Sequence, residues 1–146
     1  MKTAAQILRS KPDQIVHTIE PTASAYEAVK LMADRNVGAL VVVEHGKVVG
    51  IVSERDYARK VALMERSSKD TPLRDIMSSP VMYVNPEQTT DQCMVLMTEN
   101  RLRHLPVMDS GQLIGLVSIG DLVKATISDQ QFIIEQLEHY ISGQRD

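Results

Sequence analysis

The chain repeats itself, and the repeat limits what it can become. Gly50-Ile51-Val52-Ser53-Glu54-Arg55-Asp56 recurs 65 positions on as Gly115-Leu116-Val117-Ser118-Ile119-Gly120-Asp121. The same spacing carries Pro21 onto Pro86, Leu31-Met32 onto Leu96-Met97, Leu40 onto Leu105, Val42 onto Val107 and Gly46 onto Gly111, without a gap. Self-similarity over such a span implies copies of one supersecondary unit. Two copies are too few for a solenoid, so we expect two small subdomains packed face to face about a pseudo-twofold axis. Within 146 residues each copy alone has a marginal core, so the two should fold together.

Each repeated motif reads as an aliphatic strand that ends at a serine where a helix begins. Serine at the N-cap and aspartate three positions on resemble a capping box with Asp in place of Glu. Such a turn should aim backbone N–H groups and the positive end of a helix dipole outward, which suits a phosphate. An ionised Asp only accepts hydrogen bonds, so Asp56 and Asp121 suit a ribose diol. Helix caps alone would explain one copy; two copies at one spacing favour a nucleotide site. The entry to each central strand differs. Gly38-Ala39 would let a flat purine or a phosphate come close. Arg103-His104 offers a bidentate phosphate fork or a solvated surface charge at Arg103, and a buried imidazole or a nucleotide contact at His104. Arg55 opposes the helix dipole and calls for an anionic partner, either a neighbouring carboxylate or a ligand phosphate.

Thr18-Ile19-Glu20-Pro21, a helix, Val37-Gly38-Ala39-Leu40-Val41-Val42 and Gly50 to Asp56 together resemble a CBS domain. Arg103-His104-Leu105-Pro106-Val107 and Gly115 to Asp121 resemble a second, making a tandem pair, or Bateman module, over roughly residues 15 to 126. The run from Ser53 to Lys60 is similar to a narrower group of stand-alone pairs from bacteria and plant mitochondria. The resemblance implies an α+β fold of two β-α-β-β-α domains plus a C-terminal helix. It implies adenosyl-nucleotide sites in clefts between the two domains, with Asp56 and Asp121 on ribose and Ser53 and Ser118 near phosphate. Backbone groups near Thr18 and Tyr83 would read adenine, although Tyr83 departs from the small residue usual there. Pro21, Gly38, Ala39, Arg55, Pro86, Arg103, His104, Pro106 and Gly120 complete the candidate set.

Along the chain, residues 3 to 9 suit a short leading helix, and Ile15 to Ile19 a strand closed by Pro21. Ser24-Ala25-Tyr26-Glu27 and, 65 positions on, Thr89-Thr90-Asp91-Gln92 read as capping boxes that open helices. Leu40 to Val43 suits a buried strand, His45-Gly46 a turn and Val48 to Val52 the return strand. A helix should run from Ser53 to about Met64, and Thr71-Pro72 reads as an N-cap with proline at the first helical position. Ser128 or Asp129 would cap a terminal helix with Ile133, Ile134, Leu137, Tyr140 and Ile141 on one face, stopped at Gly143. The expected organisation is an N-terminal segment (1–14), CBS domain 1 (15–66), a linker (67–79), CBS domain 2 (80–126) and a C-terminal helix (127–146).

Net charge of −3, no Trp and one Phe argue against a general nucleic-acid binder. Apolar runs such as Ala39 to Val43 are far too short for a membrane span, and Met1 to Gln6 lacks a signal-peptide core. The single Cys93 excludes an internal disulfide and aligns with Ala28 on a helix core face, as a buried thiol. The histidines at 17, 45, 104 and 139 lack metal-ligand spacing, no metal is expected, and neither G-x-G-x-x-G nor a Walker A motif is present. We therefore expect a cytoplasmic, non-enzymatic module without a membrane partner, the plant group also allowing a mitochondrial matrix. Its ligand would be AMP first, then NAD(H), with ADP, ATP and S-adenosylmethionine as further options. It would form a homodimer and act on a regulated protein, which the plant resemblance suggests is thioredoxin-like. A nucleotide hydrolase and a nucleic-acid-binding CBS protein are the alternatives.

Overall fold

The computed structural model of the protein describes residues 1–142. In chain order the elements are helix α1 (Ala4–Ser10), strand β1 (Thr18–Ile19), helix α2 (Ala25–Arg35), and strands β2 (Ala39–Glu44) and β3 (Lys47–Ser53). Helix α3 (Glu54–Tyr57) follows and continues as a π-helical stretch (Ala58–Ala62), then a 3-10 turn (Leu73–Asp75). Helix α4 (Thr90–Asn100), strands β4 (His104–Asp109) and β5 (Gln112–Ser118), and helix α5 (Ile119–Ile141) complete the chain. The result is the α+β arrangement of two repeats and a C-terminal helix that the sequence implied.

The chain forms two compact units. One is Ile15–Met82; the other joins Met1–Gln14 to the chain from Tyr83 on. In the first, β1 pairs parallel to β2 and β2 antiparallel to β3. In the second, β4 and β5 form the same hairpin, and the counterpart of β1 shrinks to a single parallel bridge from Val84 to Val107. Both hairpins turn at a left-handed pair, His45-Gly46 and Ser110-Gly111, as two-residue primed turns require. Both slip register at the same place, between Val42 and Val43 and between Val107 and Met108.

Each core is closed by a segment from before the other repeat. In the first unit Leu73 and Ile76 join Met32, Leu40, Val42 and Val52; in the second Ala4 and Ile7 join Met97, Leu105, Val107 and Val117. The backbone bonds match pair for pair: Leu73 N–H to Ala23 O and Arg74 N–H to Pro21 O, against Ala4 N–H to Gln88 O and Ala5 N–H to Pro86 O. Glycine admits the segments. A Cβ on Gly50 would sit 2.5 Å from Met77 Sδ, and one on Gly115 would sit 2.5 Å from both Leu8 Cδ atoms.

Several local expectations need correction. The first strand spans only Thr18–Ile19, and Ile15 is 70% exposed. The helix after Ser53 ends at Ala62 rather than Met64. Thr71 is no cap; its buried hydroxyl donates to Ser67 O, and Pro72 is the N-cap of the 3-10 turn. Thr89 and Gln92 form a full box, but in α2 only the Ser24 hydroxyl accepts, from the Glu27 N–H. The terminal helix starts at Ile119, not after Ser128, because nothing between Asp121 and Ile141 breaks it and Ser118 already supplies the cap. The expected stop at Gly143 lies outside the described residues.

Candidate functional site

The two strand-to-helix corners are built as the sequence predicts. Ser53 and Ser118 are extended N-caps, and each capping box is reciprocal. In the first unit the Asp56 N–H donates to Ser53 Oγ (3.3 Å), while Asp56 Oδ2 accepts from the Ser53 N–H (2.9 Å) and hydroxyl (3.1 Å). In the second, the Asp121 N–H donates to Ser118 Oγ (3.1 Å) and Asp121 Oδ2 accepts from the Ser118 N–H (2.9 Å). Strand pairing sets the floor of each corner, with Ala39 opposite Ser53 and His104 opposite Ser118.

The first-turn amides are less open than the sequence suggests. The Glu54 N–H donates to Gly38 O (3.1 Å) and the Ile119 N–H to Arg103 O (2.8 Å). With the Asp56 and Asp121 amides held by the caps, an anion meets side chains here more than a row of N–H groups.

Two lysines that the sequence reading missed complete the corners. Lys60 Nζ lies 3.1 Å from Asp56 Oδ1 and donates to Ile76 O at 2.9 Å. Lys11 Nζ lies 3.0 Å from Asp121 Oδ2 and donates to Leu116 O at 2.9 Å. They come from unrelated places: the repeat spacing sends Lys60 to Ala125, and Lys11 follows α1. The Asp56–Lys60 pair sits at i,i+4 and was legible as such. The Lys11–Asp121 pair has no local signal.

The other candidates fall into groups. Backbone pairing brings Gly38 and Ala39 beside Ser53, with Arg55 and Asp56 following in the first helical turn, and Arg103 and His104 beside Ser118, with Gly120 and Asp121 following. Thr18 sits on β1 opposite Val41, on the neighbouring strand to Ala39. Tyr83 is 60% exposed and precedes the Val84 bridge. Pro106 is a buried β4 residue whose carbonyl accepts the Val84 N–H. The Pro21 and Pro86 carbonyls receive the closing segments, so both prolines have a structural duty that the sequence did not announce.

Electrostatics distinguishes the second corner. Burial pushes the His104 imidazole below its ordinary value; nearby Asp121 opposes this, and Lys11 and Arg103 add to it. At neutral pH His104 is therefore uncharged, one ring nitrogen donating and the other accepting. Cys93 is fully buried, and burial pushes its thiol up, away from the reactive thiolate. Among the described residues no three His, Cys, Asp or Glu side chains cluster where they could hold a metal ion, and no helix is long and apolar enough to cross a membrane.

Known proteins share this sequence pattern and fold. The family model described as "CBS domain" fits residues 4–63 and again 73–128. The mitochondrial CBS domain-containing protein CBSX3 of Arabidopsis thaliana is 45% identical over 125 residues, 82% of this chain. This chain spans only 61% of that relative's length. A solved structure of a putative signal-transduction protein with CBS domains from Burkholderia ambifaria superposes with a TM-score of 0.85 at 57% identity, covering 88% of this chain and 96% of that one. The CBS domain pair of protein MJ0100, solved in complex with 5′-methylthioadenosine and S-adenosyl-L-methionine, superposes at 0.76 with 25% identity, covering 88% and 98%.

Proposed function

The chain belongs to the CBS-domain family, and on that premise we propose that it is a non-enzymatic regulatory module that binds adenosyl nucleotides at its two Ser–Asp corners. CBS-pair proteins are generally regulatory and non-catalytic. The observation that carries the reading is the twice-built capping box, in which an ionised, half-buried aspartate keeps acceptor capacity beyond its cap. That is what a ribose diol needs. The adenosyl ligands of the MJ0100 pair support the class. AMP is the favoured ligand and NAD(H) the next. A lysine lies at each corner, with Arg103 beside the second, so a mononucleotide phosphate has cations nearby.

The nucleotide signal passes to a regulated protein, and the working unit is a homodimer in the cytoplasm. The dimer rests on α5. Beyond Thr126 none of its described residues is buried; Ile134 is 47% exposed and Leu137 55%. Ile127, Ile134 and Ile141 recur every seventh residue, with Gln130 and Leu137 between them and Val123 one step before. Such a seam packs against a second helix of the same kind.

Mass spectrometry of small molecules released from the purified protein, followed by calorimetric titration, tests the ligand. Saturable AMP binding without turnover is expected. Hydrolysis of ATP in the presence of Mg²⁺ would instead establish the enzyme reading. A steep salt dependence of oligonucleotide binding would establish the nucleic-acid reading.

A further inference from the structure

A ribose cis-diol donates two hydroxyl protons, so one carboxylate must offer it two open acceptor positions. An ionised carboxylate has about four in all. At Asp56 three are taken: two on Oδ2 by the Ser53 N–H and hydroxyl, and one on Oδ1 by Lys60 at 3.1 Å. At Asp121 the Ser118 N–H (2.9 Å) and Lys11 (3.0 Å) both fall on Oδ2. Among the described residues nothing bonds Asp121 Oδ1.

Resting on the adenosyl-nucleotide reading above, we infer that the two sites are unequal: Asp121 takes ribose first, and Lys60 gates Asp56. Asp121 accepts a diol on Oδ1 with its cap and its lysine both in place. Asp56 has one position open beside Lys60, and the Ser53 bonds close the helix cap. Lys60 therefore leaves when the diol arrives. Its ammonium also holds Ile76 O at 2.9 Å, on the segment whose next residue, Met77, packs over Gly50. Filling the second-used site thus loosens one tie on that closing segment. Filling the first-used site does not, because Lys11 keeps both Asp121 Oδ2 and Leu116 O. Lys60 is a positioning residue: it acts on ribose through Asp56.

Calorimetric titration with AMP and with adenosine, which carries the diol without phosphate charge, tests this on the full chain. The variants are Asp121→Asn, Asp56→Asn, Lys60→Met and Lys60→Arg. Asparagine keeps a carbonyl acceptor for the capping N–H, and unliganded melting is recorded beside each titration. The expected wild-type isotherm has a tighter and a weaker phase. Asp121→Asn removes the tighter phase and Asp56→Asn leaves it. Lys60→Met tightens only the weaker phase for adenosine, by up to about fivefold, the worth of one exposed ion pair. Lys60→Arg restores the wild-type value. Two equal phases, loss of the tighter phase in Asp56→Asn, or a Lys60→Met isotherm like the wild type would each overturn the inference. Should Asp121→Asn melt before titration, the Lys60 pair decides alone. Adenosine and AMP that bind no variant and no wild type overturn the adenosyl reading and this one with it.

Discussion

Asp56 and Asp121 each close a helix cap and meet a lysine, so each carboxylate serves the fold as well as the recognition proposed for it. Replacing either with alanine should cost roughly 1 kcal/mol of stability from the cap alone. Chemical denaturation without ligand reads that loss, and an unchanged midpoint would mean the boxes contribute nothing. His104 carries a pH signature. Its folded value lies below the ordinary 6.5, so the unfolded chain takes up the proton first. The contribution is whole above pH 6.5 and is lost as pH falls below it toward the lowered folded value. His104→Gln should flatten the acid side of the stability profile, and a variant profile parallel to the wild type would contradict the half-buried, neutral imidazole. The sequence made most of this legible, because serine, aspartate and their three-residue spacing are local signals. Lys11 was not legible, since its partner is brought to it only by the fold.

The hairpins, the helix starts and the repeated register shift follow from local rules, and the sequence announced them through Gly46, Gly111 and the shared caps. The exchange of closing segments did not show, because backbone bonds such as Ala4 to Gln88 connect distant residues and depend on no side-chain pattern. Gly50 and Gly115 report on it. Alanine at either should crowd Met77 or Leu8 and destabilise by about 1–3 kcal/mol. Gly115→Ala should cost more, because the branched Leu8 meets the new methyl with two carbons at once. Hydrogen exchange at the Ala4 and Ala5 amides should quicken in Gly115→Ala; unaltered exchange would mean α1 is not held by that contact. For α5, Ile134→Glu with Leu137→Glu should convert a dimer to a monomer in sedimentation velocity. A wild-type chain that sediments as a monomer at micromolar concentration would contradict the seam. The unbroken length of α5 escaped the sequence reading because Ser128 and Asp129 resemble caps, yet nothing before them ends a helix.

The chain has no Trp and only four Tyr, so its own absorbance at 280 nm is weak. An adenine nucleotide that travels with the purified protein should dominate near 260 nm and leave on denaturation. A spectrum unchanged by denaturation and filtration would mean that none travels. The two-unit architecture was readable from the 65-residue spacing, because a repeat states its own period. The proposed ligand is defined only as a class, since serine, aspartate and a nearby cation suit the adenosine half of many nucleotides. The most direct measurement is the melting shift produced by AMP in the wild type and in the double variant Asp56→Asn, Asp121→Asn. At a hundredfold excess over Kd a ligand specific to the folded state adds about 2.7 kcal/mol. For a chain of this size that raises Tm by about 5–10 °C. The wild type should show that rise and the double variant little or none, each judged against its own unliganded Tm. A double variant that keeps the full wild-type rise would make these aspartates helix caps only, and would contradict the account.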